Sequence, residues 1–336
     1  MRRRTMTARL VFAGWLGGRA SRATAQAASN EAYGPNGFDL RNALVPAEAI
    51  ERGGPPRDGI PAIDAPRFVP ARDAGLQDRD RVLGLALDGQ VRAYPVRILN
   101  WHEIVNDRIG TRQVAITYCP LCGTGVAFDA TVGGRTLDFG VSGLLYNSDV
   151  LLYDRTTQSL WSQILMQAIT GPMRGETLRP LPLAHTTWGA WRRRHPATQV
   201  LSTDTGHRRN YARDPYVGYE HEARPMFSVQ HQDDRLPSNA WVLGLRLGGV
   251  TRAYPFDWLE RQADGKGRLH DHLGGLDVVL HFDRTARSAE VRDVQGRLLP
   301  SMSAYWFAWV AFHPRTELME SPTMAAPIAP PTSGQR

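Results

Sequence analysis

Residues 82–95 read VLGLALDGQVRAYP, and residues 242–255 read VLGLRLGGVTRAYP. Ten of the fourteen positions are identical at an offset of 160 residues, with a turn glycine (Gly89, Gly249) and a closing proline (Pro95, Pro255) in register. Each copy splits around Asp88-Gly89 or Gly248-Gly249, pairs that suit the tight turn of a β-hairpin, so each predicts two antiparallel strands. The likeness extends outward. Pro66-Arg67-Phe68 precedes the first copy as Pro225-Met226-Phe227 precedes the second. Asp107-Arg108-Ile109-Gly110 answers Asp271-His272-Leu273-Gly274, and Val114-Ala115-Ile116 answers Val278-Val279-Leu280. A repeat of this length organises a fold before any local signal does. The expectation is an α+β protein, mainly antiparallel β, with two diverged copies of one β-rich unit, short helices and an approximate two-fold axis. A single β-sandwich with helical insertions is the alternative.

Local patterns fill in the units. Arg97 to Asn106 carries apolar residues at Ile98, Leu99, Trp101, Ile104 and Val105, a spacing that predicts a short amphipathic helix. Gln113 to Tyr118 reads as a strand ending at Cys119. Val126 to Thr131, Gly133-Gly134 and Arg135 to Phe139 read as a further hairpin, and Thr187 to Arg194 as a short helix stopped before Pro196. The chain then divides into a signal over 1–27, an extended segment over 28–59, and a first unit over 60–150. A connecting segment follows over 151–219, a second unit over 220–318, and a disordered Pro-rich tail over 319–336.

The signal reading rests on Arg2-Arg3-Arg4, a short apolar run from Leu10 to Gly18, and Ala25-Gln26-Ala27 as an A-x-A cleavage pattern. It implies an exported protein, periplasmic or extracellular, with no transmembrane segment once the signal is removed. The net charge is +7, and Lys266 is the only lysine among 40 Lys+Arg. Those arginines are scattered rather than gathered into a stripe, so no nucleic-acid partner is expected. No Gly-rich phosphate loop appears, so no nucleotide cofactor is expected, and there is no H-E-x-x-H metalloprotease motif or G-x-S-x-G elbow.

Chemistry concentrates at the only two cysteines, in Tyr118-Cys119-Pro120-Leu121-Cys122-Gly123. A C-P-x-C-G turn has the form of a rubredoxin or zinc-ribbon knuckle, in which two thiolates converge on one side of a tight turn. One knuckle supplies two of the four ligands, so a metal needs others. His102 is the candidate third, and a Cys2His set favours zinc or copper by ligand softness. Glu103 beside it is a candidate fourth ligand or general base. Both also suit the polar face of a helix. Asp283 aligns with Cys119 in the second unit, which has no cysteines. Two other readings of the pair stay open. One is thiol-disulfide exchange through Cys119 and Cys122 in an oxidising compartment, although no helix follows the motif to stabilise a thiolate. The other is a static bridge in a non-enzymatic binding module. So short a loop makes a poor staple, worth about 2 kcal/mol.

A second cluster lies in Tyr153-Asp154-Arg155-Thr156-Thr157-Gln158-Ser159-Leu160-Trp161-Ser162-Gln163. Asp154, Ser159 and Gln163 are candidates to hold a small polar ligand against Tyr153 and Trp161, with Glu103 as a further lining residue. The competing reading is a turn capped by Asp154, with Trp161 in the core. His270 and His272 alternate, so on a strand they would share one face, a weak metal signal.

The runs NWHEIVND (100–107), TYCPLCGTGVAFD (117–129), SGLLYNSDVLLYDRTTQSLWSQ (142–163) and YWFAWVAFHPRTEL (305–318) together resemble domain-of-unknown-function family 3179, over about residues 55–318. The resemblance implies no settled activity. Many members resemble exported or membrane-anchored proteins, which agrees with the signal reading. The family's Cys pair, His-Glu and YD…SLWSQ run map onto Cys119, Cys122, His102, Glu103, Tyr153, Asp154, Ser159, Leu160, Trp161, Ser162 and Gln163.

Overall fold

The computed structural model of the chain describes residues 34–320. The signal expected over 1–27, the start of the 28–59 segment and nearly all of the 319–336 tail lie outside the described residues.

The two VLGL segments are strands because they are buried on both faces, which a continuous apolar run permits. Leu83 and Leu85 pack into one core, while Val82 packs into another with Ala184, Trp188 and Trp191. Arg81–Leu87 pairs antiparallel with Gln90–Pro95 in the register Leu83↔Tyr94 and Gly84↔Ala93. Trp241–Leu247 pairs with Val250–Pro255 in the same way, Leu243↔Tyr254 and Gly244↔Ala253. The glycine in each segment makes room for a tryptophan. A Cβ on Gly84 would lie 2.4 Å from Trp191 Cε3, and one on Gly244 would lie 2.2 Å from Trp309 Cε3. Tyr94 donates to Asp107 at 2.6 Å and Tyr254 to Asp271 at 2.6 Å, and Arg92 and Arg252 close an ion pair on the same carboxylates. The shared Arg-Ala-Tyr thus fastens each hairpin to the strand that follows it.

The described residues form five sheets of four or five strands and one two-stranded ribbon. One sheet runs in the order Ala184–Thr187, Arg81–Leu87, Gln90–Pro95, Gln199–Leu201 and Phe68–Pro70. A second has the matching order Met302–Tyr305, Trp241–Leu247, Val250–Pro255 and Glu317–Leu318. A third runs Arg179–Leu181, Thr124–Asp129, Arg112–Cys119 and Ile104–Ile109, and a fourth runs Leu298–Leu299, Ser288–Asp293, Leu276–Asp283 and Arg268–Leu273. The fifth, Ile50–Arg52, Phe139–Tyr146, Asp149–Asp154, Leu160–Ser162 and Gln167–Ala168, has no counterpart among the others. Nearly all of these strand pairings are antiparallel. The arrangement resembles a five-bladed β-propeller rather than two diverged copies packed about an axis. The unmatched sheet, inserted between strands of the first and third, is the physical reason.

The connecting segment contributes more than a link. Its strands Ala184–Thr187 and Gln199–Leu201 flank the first hairpin, joined by the helix Trp188–Arg194, whose N-cap Thr187 accepts a bond from the Ala190 N–H. Trp191 Nε1 donates to Thr198 as Trp309 Nε1 donates to Thr316, so WGAWRRRHPAT and WFAWVAFHPRT are a second matching pair of segments. Of the hairpin expected from Val126 to Phe139 around Gly133-Gly134, only Thr131–Val132 pairs with Arg135–Thr136, while Val126 to Asp129 pairs with the strand Arg112–Cys119. The helix expected over 97–106 is not: it covers only Val96–Leu99, and Ile104–Ile109 is a strand paired with Arg112–Cys119. The β-branched Ile104 and Val105 gain more by cross-strand packing on Thr117 and Ile116 than by extending a four-residue helix. No helix among the described residues is long and apolar enough to cross a membrane.

Candidate metal centre

The strand Arg112–Cys119 and the strand Thr124–Asp129 are hydrogen-bonded up to the pair Cys119↔Thr124, and residues 120–123 make the turn between them. Gly123 takes φ +61°, and a Cβ there would lie 2.7 Å from Trp241 and 3.1 Å from Tyr305. Glycine therefore answers both to the left-handed backbone and to the aromatic wall pressed on the knuckle. The Cys122 carbonyl accepts the Tyr305 N–H at 2.9 Å, tying the knuckle to the strand Met302–Tyr305. Both cysteines are free thiols in the largest core cluster, which also holds Trp161, Trp306 and Trp309.

The group facing them comes from the unmatched sheet. Strands Phe139–Tyr146 and Asp149–Asp154 are joined by a two-residue turn with φ +53° at Asn147 and +61° at Ser148, the signature of a type I′ hairpin. Asn147 is fixed by bonds to the Ala311 carbonyl and the Gln230 N–H, and Ser148 Oγ donates to the Phe227 carbonyl. So anchored, the turn points the Ser148 carbonyl at both sulfurs, 3.8 Å from Cys119 and 3.5 Å from Cys122. The next residue, Asp149, is fully buried. Its Oδ2 accepts the Ile164 N–H at 3.1 Å, both thiols face the carboxyl, and Oδ1 has no partner within hydrogen-bond geometry among the described residues. Donor atoms of Cys119, Cys122 and Asp149 all lie within 4.8 Å of one another.

Electrostatics makes this cluster costly when it carries charge. Burial pushes the Asp149 carboxyl up to about 7. Burial, with Asp149 nearby, pushes Glu103 up to about 8. Both thiols are raised by the same desolvation. Gln163 adds another unsatisfied group: its amide nitrogen donates to Thr117 at 2.8 Å, but its buried Oε1 has no partner among the described residues.

His102 does not join the cluster. It is fully buried, with Nδ1 2.7 Å from the Pro61 carbonyl and Nε2 2.7 Å from the Tyr211 hydroxyl. The carbonyl can only accept, so Nδ1 carries the proton and Nε2 accepts from Tyr211. The third donor beside the two cysteines is therefore Asp149 in place of the expected His102. Glu103 follows the helix with φ +57° and is buried. Its carbonyl accepts the Tyr118 N–H at 2.7 Å, which sets it beside the strand leading to Cys119.

The polar run of 153–163 divides. Asp154 accepts from the Thr157 N–H, the Thr157 hydroxyl and, at 3.0 Å, Trp161 Nε1. Ser159 Oγ accepts the Met173 N–H, and Tyr153 donates to Asp58. Tyr153, Asp154, Ser159 and Trp161 thus build a self-satisfied turn over a core tryptophan, and only Gln163 reaches the knuckle strands. His270 and His272 are exposed, with His272 against Asp277 at 2.8 Å, and Asp283 Oδ1 accepts the Ala286 N–H. Sequence reading missed Asp149. Its signal was the Asn-Ser turn before it, which places the next residue at a strand start but does not say what it faces.

No curated protein and no solved structure matches the chain. A family model described as "Protein of unknown function (DUF3179)" matches residues 57–316. That span takes in the knuckle, the Asn147-Ser148 turn and both VLGL hairpins, and the chain belongs to this family.

Proposed function

We propose that the chain is an exported protein that holds one transition-metal ion, zinc or copper, on Cys119, Cys122 and Asp149. The observation that carries this is the unpartnered, fully buried Asp149 Oδ1 beside two free thiols. Charge on a buried carboxyl with one oxygen left unpaired is costly. A cation among these three donors removes that cost and favours both thiolates, because a bound metal inverts the local titration. Two sulfurs and one oxygen suit zinc, with copper the competitor among soft-ligand metals. Three protein ligands leave a fourth tetrahedral position, and Glu103 is the nearby acid for it or for a proton. Export rests on the arginine-led leader and the Ala25-Gln26-Ala27 pattern, and N-terminal sequencing of protein from the extracytoplasmic fraction should begin at Ala28.

The test is elemental analysis of protein purified under reducing conditions. One equivalent of metal is expected, together with an intense sulfur-to-metal charge-transfer band on cobalt substitution. A metal-free protein whose two thiols oxidise reversibly to a disulfide would replace this reading with thiol-disulfide exchange, which the proximity of the two free sulfurs also favours. A pair replaceable by alanine without effect on metal or redox behaviour would leave only a local bridge.

A further inference from the structure

A cavity of about 500 Å³ lies against the outer side of the knuckle, walled by Tyr118 and Pro120 and by Trp241 and Tyr305, with neither sulfur in its lining. That volume suits a small organic ligand. Its walls meet where the two VLGL strands begin: Arg81 precedes one and Trp241 precedes the other. Otherwise alike, the two segments differ here, one placing a guanidinium and the other an indole in the same cavity.

Arg81 is held by backbone alone. It donates to the Ala286 carbonyl at 2.8 Å and the His185 carbonyl at 3.1 Å, with a long contact to Arg287, and it has no ion pair among the described residues. Its charge is oriented but not directly paired, and Glu220 acts on it without forming an ion pair among the described residues. His185, also in the lining and only 6% exposed, has a buried Nδ1 with no hydrogen-bond partner among the described residues. The ring is neutral, since burial and then Arg81 hold its pKa well below the ordinary value. The hydroxyls of Tyr118, Tyr216 and Tyr305, all lining residues, make no hydrogen bond among the described residues. Unspent donors thus gather around one cation without a direct ion pair, facing an aromatic wall.

From this arrangement the geometry points to a binding site for a small aromatic monocarboxylate, with its carboxylate on Arg81 and its ring against Trp241 and Tyr305. An arginine fork matches a carboxylate in two parallel bonds. A dianion such as a phosphate monoester is disfavoured because Asp214 and Glu220 share the lining. Arg287, the other arginine there, is already paired with Asp257 and Glu260. The site does not depend on a metal at the cysteines.

Calorimetric titration of the full chain with benzoate, phenyl phosphate and benzylamine tests this. Benzoate should bind saturably at one equivalent, more tightly than either other probe. Arg81→Met should weaken it roughly 10- to 100-fold, the worth of a charged hydrogen bond. Because Arg81 also ties three segments together, a second variant is needed. Tyr305→Phe, which removes one hydroxyl, should weaken benzoate by a few fold with an unchanged melting temperature. Cys119→Ser should leave benzoate binding intact, which separates this site from the metal centre. No saturable benzoate binding, tighter binding of phenyl phosphate or benzylamine, or undiminished benzoate affinity in folded Arg81→Met would each overturn the assignment.

Discussion

The turns Cys119–Thr124 and Asp283–Ser288 occupy equivalent places in the third and fourth sheets, and they use one backbone for different ends. In each, the residues that bracket the turn are paired, Cys119↔Thr124 and Asp283↔Ser288, and the residue before the second strand has positive φ, +61° at Gly123 and +41° at Arg287. The second turn satisfies itself. Asp283 accepts the Ala286 N–H, Arg284 donates to the carbonyls of Glu260, Ala263 and Asp264, and Arg287 pairs with exposed acids. The first is buried under an inserted hairpin that brings Asp149 onto two thiols and leaves an oxygen unpaired. The backbone turn does not make a site. Burial of groups that need a cation does.

The sharpest way to break the contrast is to remove the two thiols from one turn and the Asp283 carboxyl from the other. Cys119→Ser combined with Cys122→Ser should reduce metal content from one equivalent to none. Asp283→Ala should leave metal content unchanged and cost about 1 kcal/mol in urea unfolding, the worth of one hydrogen bond. Full metal retention in the double serine variant would remove the distinction between the turns.

Asp149→Asn separates the acid from its surroundings. In chelator-treated protein the amide should match or exceed the wild-type melting temperature, because an uncompensated buried acid is replaced by a neutral group of equal size. In the metal-loaded protein the same change should weaken metal binding by at least roughly tenfold, on the order of 1.4 kcal/mol. Opposite signs in the two states are the expected result. A loss of stability in both would show that Asp149 is a structural acceptor and nothing more.

Gly123 and Arg287 offer a comparison in stability alone. Gly123→Ala must adopt the left-handed region and push into Trp241 and Tyr305, so it should destabilise by about 2–4 kcal/mol. Arg287→Gly relieves the same backbone strain and gives up two exposed ion pairs, so it should fall within about 1 kcal/mol of wild type. Equal costs at the two positions would mean that the aromatic wall yields.

Much of this was legible, and the limit has a physical basis. The VLGL hairpins, the Arg-Ala-Tyr clasp's residues and the knuckle all lie within short stretches, where turn chemistry and alternation act locally. The unmatched sheet was not legible, because its strands from Phe139 to Ala168 carry no repeat and its edge is completed by the distant Ile50–Arg52. His102 and Asp149 show the same boundary. Adjacency in sequence favoured His102, three residues before Val105, yet the helix ends at Leu99 and the ring turns to Pro61 and Tyr211. Asp149 reaches the cysteines only through long-range contacts of Asn147 and Ser148 with residues 311, 230 and 227. No local pattern encodes those.

The smallest expected effect compares the two Trp-His stacks. His195 sits 4.2 Å from Trp191 and His313 sits 4.1 Å from Trp309, ring centre to ring centre. Burial, then Arg246, pushes His313 down to about 4. His195 is also lowered, by burial and Arg194, but Glu290 opposes the shift. A histidine depressed on folding binds fewer protons in the native state than in the unfolded one. Its contribution is complete above the unfolded value of 6.5 and is lost as pH falls from there toward 4. Acid should therefore lower the stability of the chain across that window, and His313→Gln should flatten the decline by on the order of 1 kcal/mol. Titration of the ring protons by NMR should find His313 below His195. The reverse order would mean that neither the deeper burial of His313 nor the acid beside His195 sets the difference between these two stacks.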